Sequence, residues 1–172
     1  MEDIGSLLNG FLVNNFNNIL RWEERVLSGA FEGRLSVSEY HVIEAVILAA
    51  ETGENTMGEV ARRLGITVGT LTTAVKTLSR KGFILREKGS CDRRTVWLFP
   101  TPEAEAANRF HSDFHKRMVG GIMDCLDHNQ LLTLATALGV LGDWFNSVES
   151  EQNYIEVTED IALLSDDPDE KE

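Results

Sequence analysis

The chain runs to 172 residues with 42% hydrophobic content and a formal net charge of -12, which suits a single globular unit with a proper core. No run of about 18 residues reads as apolar enough to cross a bilayer, and the opening MEDIGSLLNG is acidic where a secretory signal is basic, so a cytoplasmic protein with no membrane partner is expected. Cys91 and Cys125 form neither a CxxC pair nor a Cys/His zinc spacing, which excludes a disulfide framework.

In chain order, Leu8, Leu12, Phe16, Ile19 and Leu20 recur at helical spacing among Asn and charged residues. They predict a long amphipathic helix whose apolar stripe needs a partner. After Gly29 and Gly33, Ser36 followed by Glu39 is a capping box that opens a second helix bearing Val42, Ile43, Val46 and Ile47, ended by TGEN. Thr56 caps MGEVARRL, which Gly65 stops. Thr67 caps a further helix that buries Leu71, Val75 and Leu78 and leaves Thr70, Thr73, Lys76 and Thr77 outside. Two helices joined by a Gly-containing turn make a helix-turn-helix.

Past Gly82 the period becomes that of strands: Phe83, Ile84 and Leu85, the turn KGSCD, and a return over Thr95 to Phe99. Thr101, with Pro102 at the first helical position, caps a long helix to about Leu126. Asp127 caps a last helix with Leu131, Leu134, Leu138, Leu141, Trp144 and Phe145 on one face, more apolar surface than one small core requires. Cys125 reads as a small core residue. The remainder, ESEQNYIEVTEDIALLSDDPDEKE, is acidic and expected to be mobile. The expected fold is mainly α with a small β-hairpin wing: a dimerisation helix over 1–35, a winged helix-turn-helix lobe over 36–100, dimerisation helices over 101–149 and the acidic tail over 150–172.

Charge is divided unevenly. From Glu149 onward ten acids face Lys171 alone, a balance of -9, whereas between Arg62 and Arg94 nine bases face Glu87 and Asp92, a balance of +7. A basic supersecondary unit in an acidic chain is the electrostatic footprint of a phosphate-backbone binder. Its second helix would enter a major groove with Thr67, Thr70, Thr72, Thr73 and Lys76, and the hairpin would reach neighbouring phosphates or the minor groove with Arg86, Lys88, Asp92, Arg93 and Arg94. Double-stranded DNA is therefore the expected partner.

The order of helices, the stretch ITVGTLTTAVKTLSRKGF and a wing with Asp92 and Arg94 as D-x-R resemble the MarR family of bacterial transcription regulators. Within it, EYHVIEAV (39–46), TVGTLTTAVKTLSRKGFI (67–84), CDRR (91–94) and FHKRMV (114–119) are similar to the repressors of fatty-acid synthesis. Pro100-Thr101 departs from the Leu-Thr that commonly follows the family's wing, and the acidic tail has no place in the family pattern. The resemblance implies a homodimer with interlocked terminal helices, in agreement with the surplus apolar faces, and a pseudo-palindromic operator with half-sites about one helical turn apart. It also implies that Asp92 orients the wing and Arg94 enters the minor groove.

The fatty-acid-synthesis resemblance further implies a long-chain acyl group on acyl carrier protein as corepressor. Leu12, Phe16, Leu20, Phe31, Val42, Val46, Phe110, Phe114 and Met118 would line its tunnel, and Arg109, Lys116 and Arg117 would receive the acidic carrier. A second possible input is metal: His111 and His115 at i, i+4 share a helical face, His41 with Glu23 or Glu24 would complete a tetrahedral set, and the pattern is similar to the family's zinc-responsive branch. A third is oxidation of Cys91, between Lys88 and Arg93, although peroxide sensors of the family hold their cysteine near the N-terminus, where this chain has none. No hydrolase elbow, phosphate loop, dinucleotide fingerprint or His-Glu-x-x-His is present, so neither an enzyme nor a resident cofactor is expected. The alternative of another class is a dimeric adaptor that recruits proteins through the acidic tail.

Overall fold

The computed structural model describes residues 3–89 and 94–150. The expectations for Cys91, Asp92, Arg93 and the acidic tail fall outside the described residues. By internal contacts the chain forms two compact units that divide after Met118.

The first unit begins with α1, Ile4–Ser28, whose N-cap Asp3 accepts a hydrogen bond from the Gly5 N–H. Only Glu23 and Leu27 of this helix are buried. Leu8, Phe16 and Leu20 are each more than half exposed, so the N-terminal turns of α1 are largely uncovered among the described residues. A short 3-10 turn, Phe31–Gly33, follows with Phe31, Glu32 and Gly33 all in the left-handed region (φ 51°, 58° and 71°). Each of the two side-chain-bearing residues costs about 1–2 kcal/mol there. The Phe31 ring offsets part of this by meeting Tyr40, Phe83 and Phe110 edge-on at centroid distances of 6.3–6.5 Å.

Helix α2, Val37–Thr52, opens with the expected capping box: Ser36 caps Glu39 N–H while the Glu39 carboxylate accepts from Ser36 N–H at 2.8 Å. Gly53, left-handed at φ 72°, closes it. Helix α3, Met57–Arg63, capped by Thr56, and helix α4, Val68–Arg80, capped by Thr67, form the helix-turn-helix around Gly65. Tyr40, Ile43, Val46, Val60, Leu71, Val75, Leu78 and Phe83 are fully buried together. Each such side chain contributes roughly 1.5–3 kcal/mol by leaving water.

Strands β1, Ile84–Lys88, and β2, Val96–Pro100, pair antiparallel with Ile84 opposite Pro100 and Lys88 opposite Val96. The hairpin is fixed to the lobe by the buried Asn55, whose side-chain amide donates to Leu98 O at 2.6 Å while Leu98 N–H donates to Asn55 O at 2.8 Å. Thr101 caps α5, Pro102–Cys125, by accepting from Ala104 N–H and turns its hydroxyl proton towards Gly82 O or Phe83 O. The Pro100-Thr101 departure thus keeps the cap.

Helix α6, His128–Ser150, starts with a reciprocal cap between Asp127 and Gln130, both bonds 2.9 Å. Leu138, Leu141, Trp144 and Phe145 are exposed along it. One sequence expectation is corrected here: His128–Val148 is long and apolar enough to cross a membrane by length and composition, because Asp143 is the one formally charged residue within it. A second correction concerns Cys125, which is exposed as the last residue of α5.

Candidate nucleic-acid interface

Helix α4 presents Thr67, Val68, Gly69, Thr70, Thr72, Thr73 and Lys76 to solvent. Gly69, Thr72, Thr73 and Lys76 follow the i, i+3, i+4, i+7 spacing of one helical stripe. The hydroxyls are committed inwards: Thr72 donates to Val68 O at 2.7 Å, Thr73 to Gly69 O at 3.4 Å, and the Thr67 and Thr70 hydroxyls share a proton at 2.9 Å. What this face offers outward is lone pairs and methyl groups. Those suit amino donors of adenine or cytosine and the thymine methyl.

The structure redistributes the basic charge. Arg62 pairs with Glu59, Arg63 with Glu54 at 3.7 Å, and Lys81 with both oxygens of Glu39 at 2.6 and 2.8 Å. These three cations are compensated within the lobe. Lys76, Arg80, Arg86 and Lys88 are exposed and have no ion pair among the described residues. Strand alternation puts Arg86 and Lys88 on one face of the hairpin. Arg94 is exposed at the near end of the return. The footprint is therefore narrower than the +7 segment and centres on α4 and the wing. In Glu39, burial alone raises the carboxyl, but Lys81 and the Ser36 N–H outweigh it and hold the pKa below the usual value.

The nine residues expected to line an acyl tunnel fall in several places among the described residues. Val42 and Val46 are in the core, Phe31 forms the aromatic pivot, Phe16 and Leu20 are exposed on α1 and Leu12 is half-buried there. Phe110 and Phe114 line a cleft of about 300 Å³ with Trp22, Val26, Asp113 and Arg117. Met118 is half-buried beyond it. On α1 the buried residues are Glu23 and Leu27. Of the expected carrier patch, Arg109 is paired with Glu105 and Lys116 with Asp113. Arg117 stands at the cleft.

A compact histidine cluster lies between α1, α2 and α5. Glu23, buried, has Oε1 at 3.1 Å from His111 Nε2, 3.4 Å from His41 Nε2 and 3.7 Å from His115 Nε2. The Nε2 atoms of His111 and His115 are 2.9 Å apart. Burial pushes the His111 imidazole below its usual pKa; the Glu23 hydrogen bond opposes this and His115 reinforces it. Glu24 points elsewhere, lining a separate cleft with Leu20, Ser28 and Leu35. Consecutive helical residues diverge by about 100°, which leaves Glu23 buried and Glu24 exposed. Sequence spacing found the histidines but not Asn55 or the Glu39–Lys81 pair; TGEN read only as a helix stop, and long-range polar contacts have no periodic signature.

A helix-turn-helix whose second helix is exposed, flanked by a basic hairpin, defines a winged-helix protein. The MarR family model matches residues 35–96. The chain is similar to the Streptococcus pneumoniae FabT structure solved in complex with DNA, at 31% identity and TM-score 0.76, covering 83% of this chain and 98% of that one. It resembles in fold the S. aureus MepR–DNA complex, at 15% identity and TM-score 0.65, over 78% of this chain and 96% of that one. A curated relative, the uncharacterized HTH-type transcriptional regulator YcgE of Bacillus subtilis, is 30% identical over 81 residues, or 46% of this chain, and the chain spans about half of that relative's length, 51%. The protein belongs to the MarR family, as a winged-helix transcription regulator.

Proposed function

We propose that this chain is a dimeric, sequence-specific DNA-binding repressor of fatty-acid-synthesis genes, acting in the cytoplasm with long-chain acyl-acyl carrier protein as corepressor. The observation that supports it best is the set of exposed cations, Lys76, Arg80, Arg86 and Lys88, without ion pairs among the described residues, on a winged helix similar along its length to a DNA-bound FabT. Salt bridges absorb Arg62, Arg63 and Lys81, so attraction to phosphate is concentrated where α4 and the wing project. Thr70, Thr72, Thr73 and Lys76 read base edges and adjacent phosphates, and Arg86, Lys88, Arg93 and Arg94 hold the flanking backbone and minor groove, with Asp92 orienting the wing. Exposed apolar faces on α1 and α6 supply the two-fold interface. The cleft of Trp22, Phe110, Phe114 and Arg117 offers an acyl chain an apolar bed with a cation at its rim.

The test is selection of genomic fragments by the purified full chain, sequenced with and without long-chain acyl carrier protein. Palindromes upstream of fatty-acid-synthesis genes, enriched further by the acyl form, are expected. Specific palindromes that ignore the acyl form would reject the corepressor. The absence of specific fragments would reject the DNA-binding reading itself.

A further inference from the structure

No arginine, asparagine or glutamine stands between Val68 and Lys76 on α4, and Lys76 is the one nitrogen-bearing side chain in that stretch. The two-bond pairings that arginine makes with guanine, or asparagine and glutamine with adenine, are therefore absent from these turns. What the turns do carry outward is carbon. Val68, an aliphatic residue in the first turn of α4, is 50% exposed. Thr72, also exposed and four residues later, donates its hydroxyl proton to Val68 O at 2.7 Å. With its oxygen turned back onto the helix, the other branch at the Thr72 Cβ, the methyl, stands away from that carbonyl. Side chains four residues apart are neighbours on a helix, so the methyls of Val68 and Thr72 make one apolar strip. Gly69 beside it adds no side chain.

Each base edge in a major groove meets this strip differently. Guanine presents two acceptors, and Thr72 has no proton for them unless it gives up the bond to Val68 O. Adenine and cytosine present amino groups that a hydroxyl lone pair accepts from either base alike. Thymine alone presents a methyl group, at C5, to match carbon on the protein.

We propose that Thr72, together with Val68, is a specificity-determining contact that selects thymine by its C5-methyl, so that the operator half-site carries thymine under this turn of α4. The inference rests on the DNA-binding reading above and names the base chemistry that the same helix reads. A methylene-sized group removed from water is worth about 0.8 kcal/mol, or about fourfold in affinity. Two half-sites double the free energy and raise the effect to about 15-fold.

The test starts from a duplex selected by the purified full chain. Thymines of the half-site are replaced by deoxyuridine one position at a time, symmetrically in both half-sites, and affinity is read by fluorescence anisotropy at one salt concentration. Deoxyuridine lacks the methyl and keeps the pairing. One position is expected to lose about 15-fold, while an unselected duplex of the same length loses nothing. In Thr72→Ser, which keeps the hydroxyl and lacks the methyl, the same replacement should cost less than about twofold, a non-additivity that a merely structural residue would not show. Thr72→Val keeps the methyl and should keep the full penalty, as should Thr77→Ser, the same chemical change about 140° around the helix. Melting curves show whether each variant is folded. A selected half-site without thymine, deoxyuridine tolerated at every position, or a penalty undiminished in folded Thr72→Ser would each overturn the methyl contact and leave the DNA reading standing. Failure to select any duplex would overturn that reading, and this inference with it.

Discussion

Gly69 separates the needs of folding from those of DNA binding within a single residue. It is the second helical residue after the Thr67 cap, and a Cβ built there meets nothing closer than Thr67 Oγ1 at 3.7 Å, an ordinary contact. The fold has no use for glycine here, since the backbone is helical and the position is open. Alanine in its place should stabilise the helix by up to about 0.5–1 kcal/mol, less so close (as here) to the N-terminus. For a chain of this size that corresponds to roughly 1–3 °C in melting temperature. Yet Gly69 shares its stripe with Thr72, Thr73 and Lys76, so the added methyl enters the space through which bases would approach. A tenfold loss of affinity, about 1.4 kcal/mol, is expected for Gly69→Ala. Thermal denaturation and fluorescence anisotropy on a selected fragment at one salt concentration read the two effects separately. A variant that melts higher and binds the fragment as tightly as the parent would refute the placement of this stripe against DNA.

The remaining predictions concern what fixes and charges the same lobe. Lys88→Ala should weaken DNA binding across all sequences and reduce the slope of log affinity against log salt by about 0.9, one phosphate contact; an unchanged slope in a salt titration would remove Lys88 from the interface. Asn55→Ala strands the Leu98 carbonyl beneath the hairpin and should cost about 1–3 kcal/mol in urea unfolding, with a loss below 0.5 kcal/mol counting against the bridge. Because the folded Glu39 carboxyl lies below its usual pKa, its stabilisation is fully present above about pH 4.5 and is lost as pH falls through the lowered value. The melting-temperature gap between parent and Glu39→Gln should therefore narrow below that pH, and a gap that stays constant down to acid unfolding would show that the Lys81 pair contributes nothing.

The elements were legible because their signals are local. Ser36 with Glu39, Thr56, Thr67 and Asp127 are caps read from neighbours within four residues, and the switch at Gly82 from helical spacing to a strand marks the wing. The site was legible in composition but not in detail. Arg62, Arg63 and Lys81 looked equivalent to Lys76 and Arg86 until the acids that compensate them were seen in space, all three from outside the basic segment. Glu23 and Glu24 were indistinguishable for a similar reason: the apolar stripe of α1 faces outward for most of its length, so its period does not reveal which face turns inward at its end. Left-handed Phe31 and Glu32 had no sequence signal, since neither is glycine or asparagine.

The outward-facing helices bring fold and function together. The apolar stretch of α6 without a charged or amide side chain runs from Leu131 to Gly142, 12 residues, or about 18 Å of helix, whereas a hydrocarbon core is about 30 Å thick. His128, Asn129 and Gln130 before it and Asp143 and Asn146 after it would all lie at hydrocarbon depth in a span. The proposed dimer would be a better cover, since a two-fold axis would set Leu138, Leu141 and Trp144 of one protomer against the same apolar surface of its partner and leave the polar ends in water. In the proposed dimer, two-fold symmetry would set the spacing of operator half-sites. Trp144→Glu should therefore yield a monomer in sedimentation and reduce affinity for a palindrome far more than for a single half-site; a variant that stays dimeric would show that α6 is covered by something else.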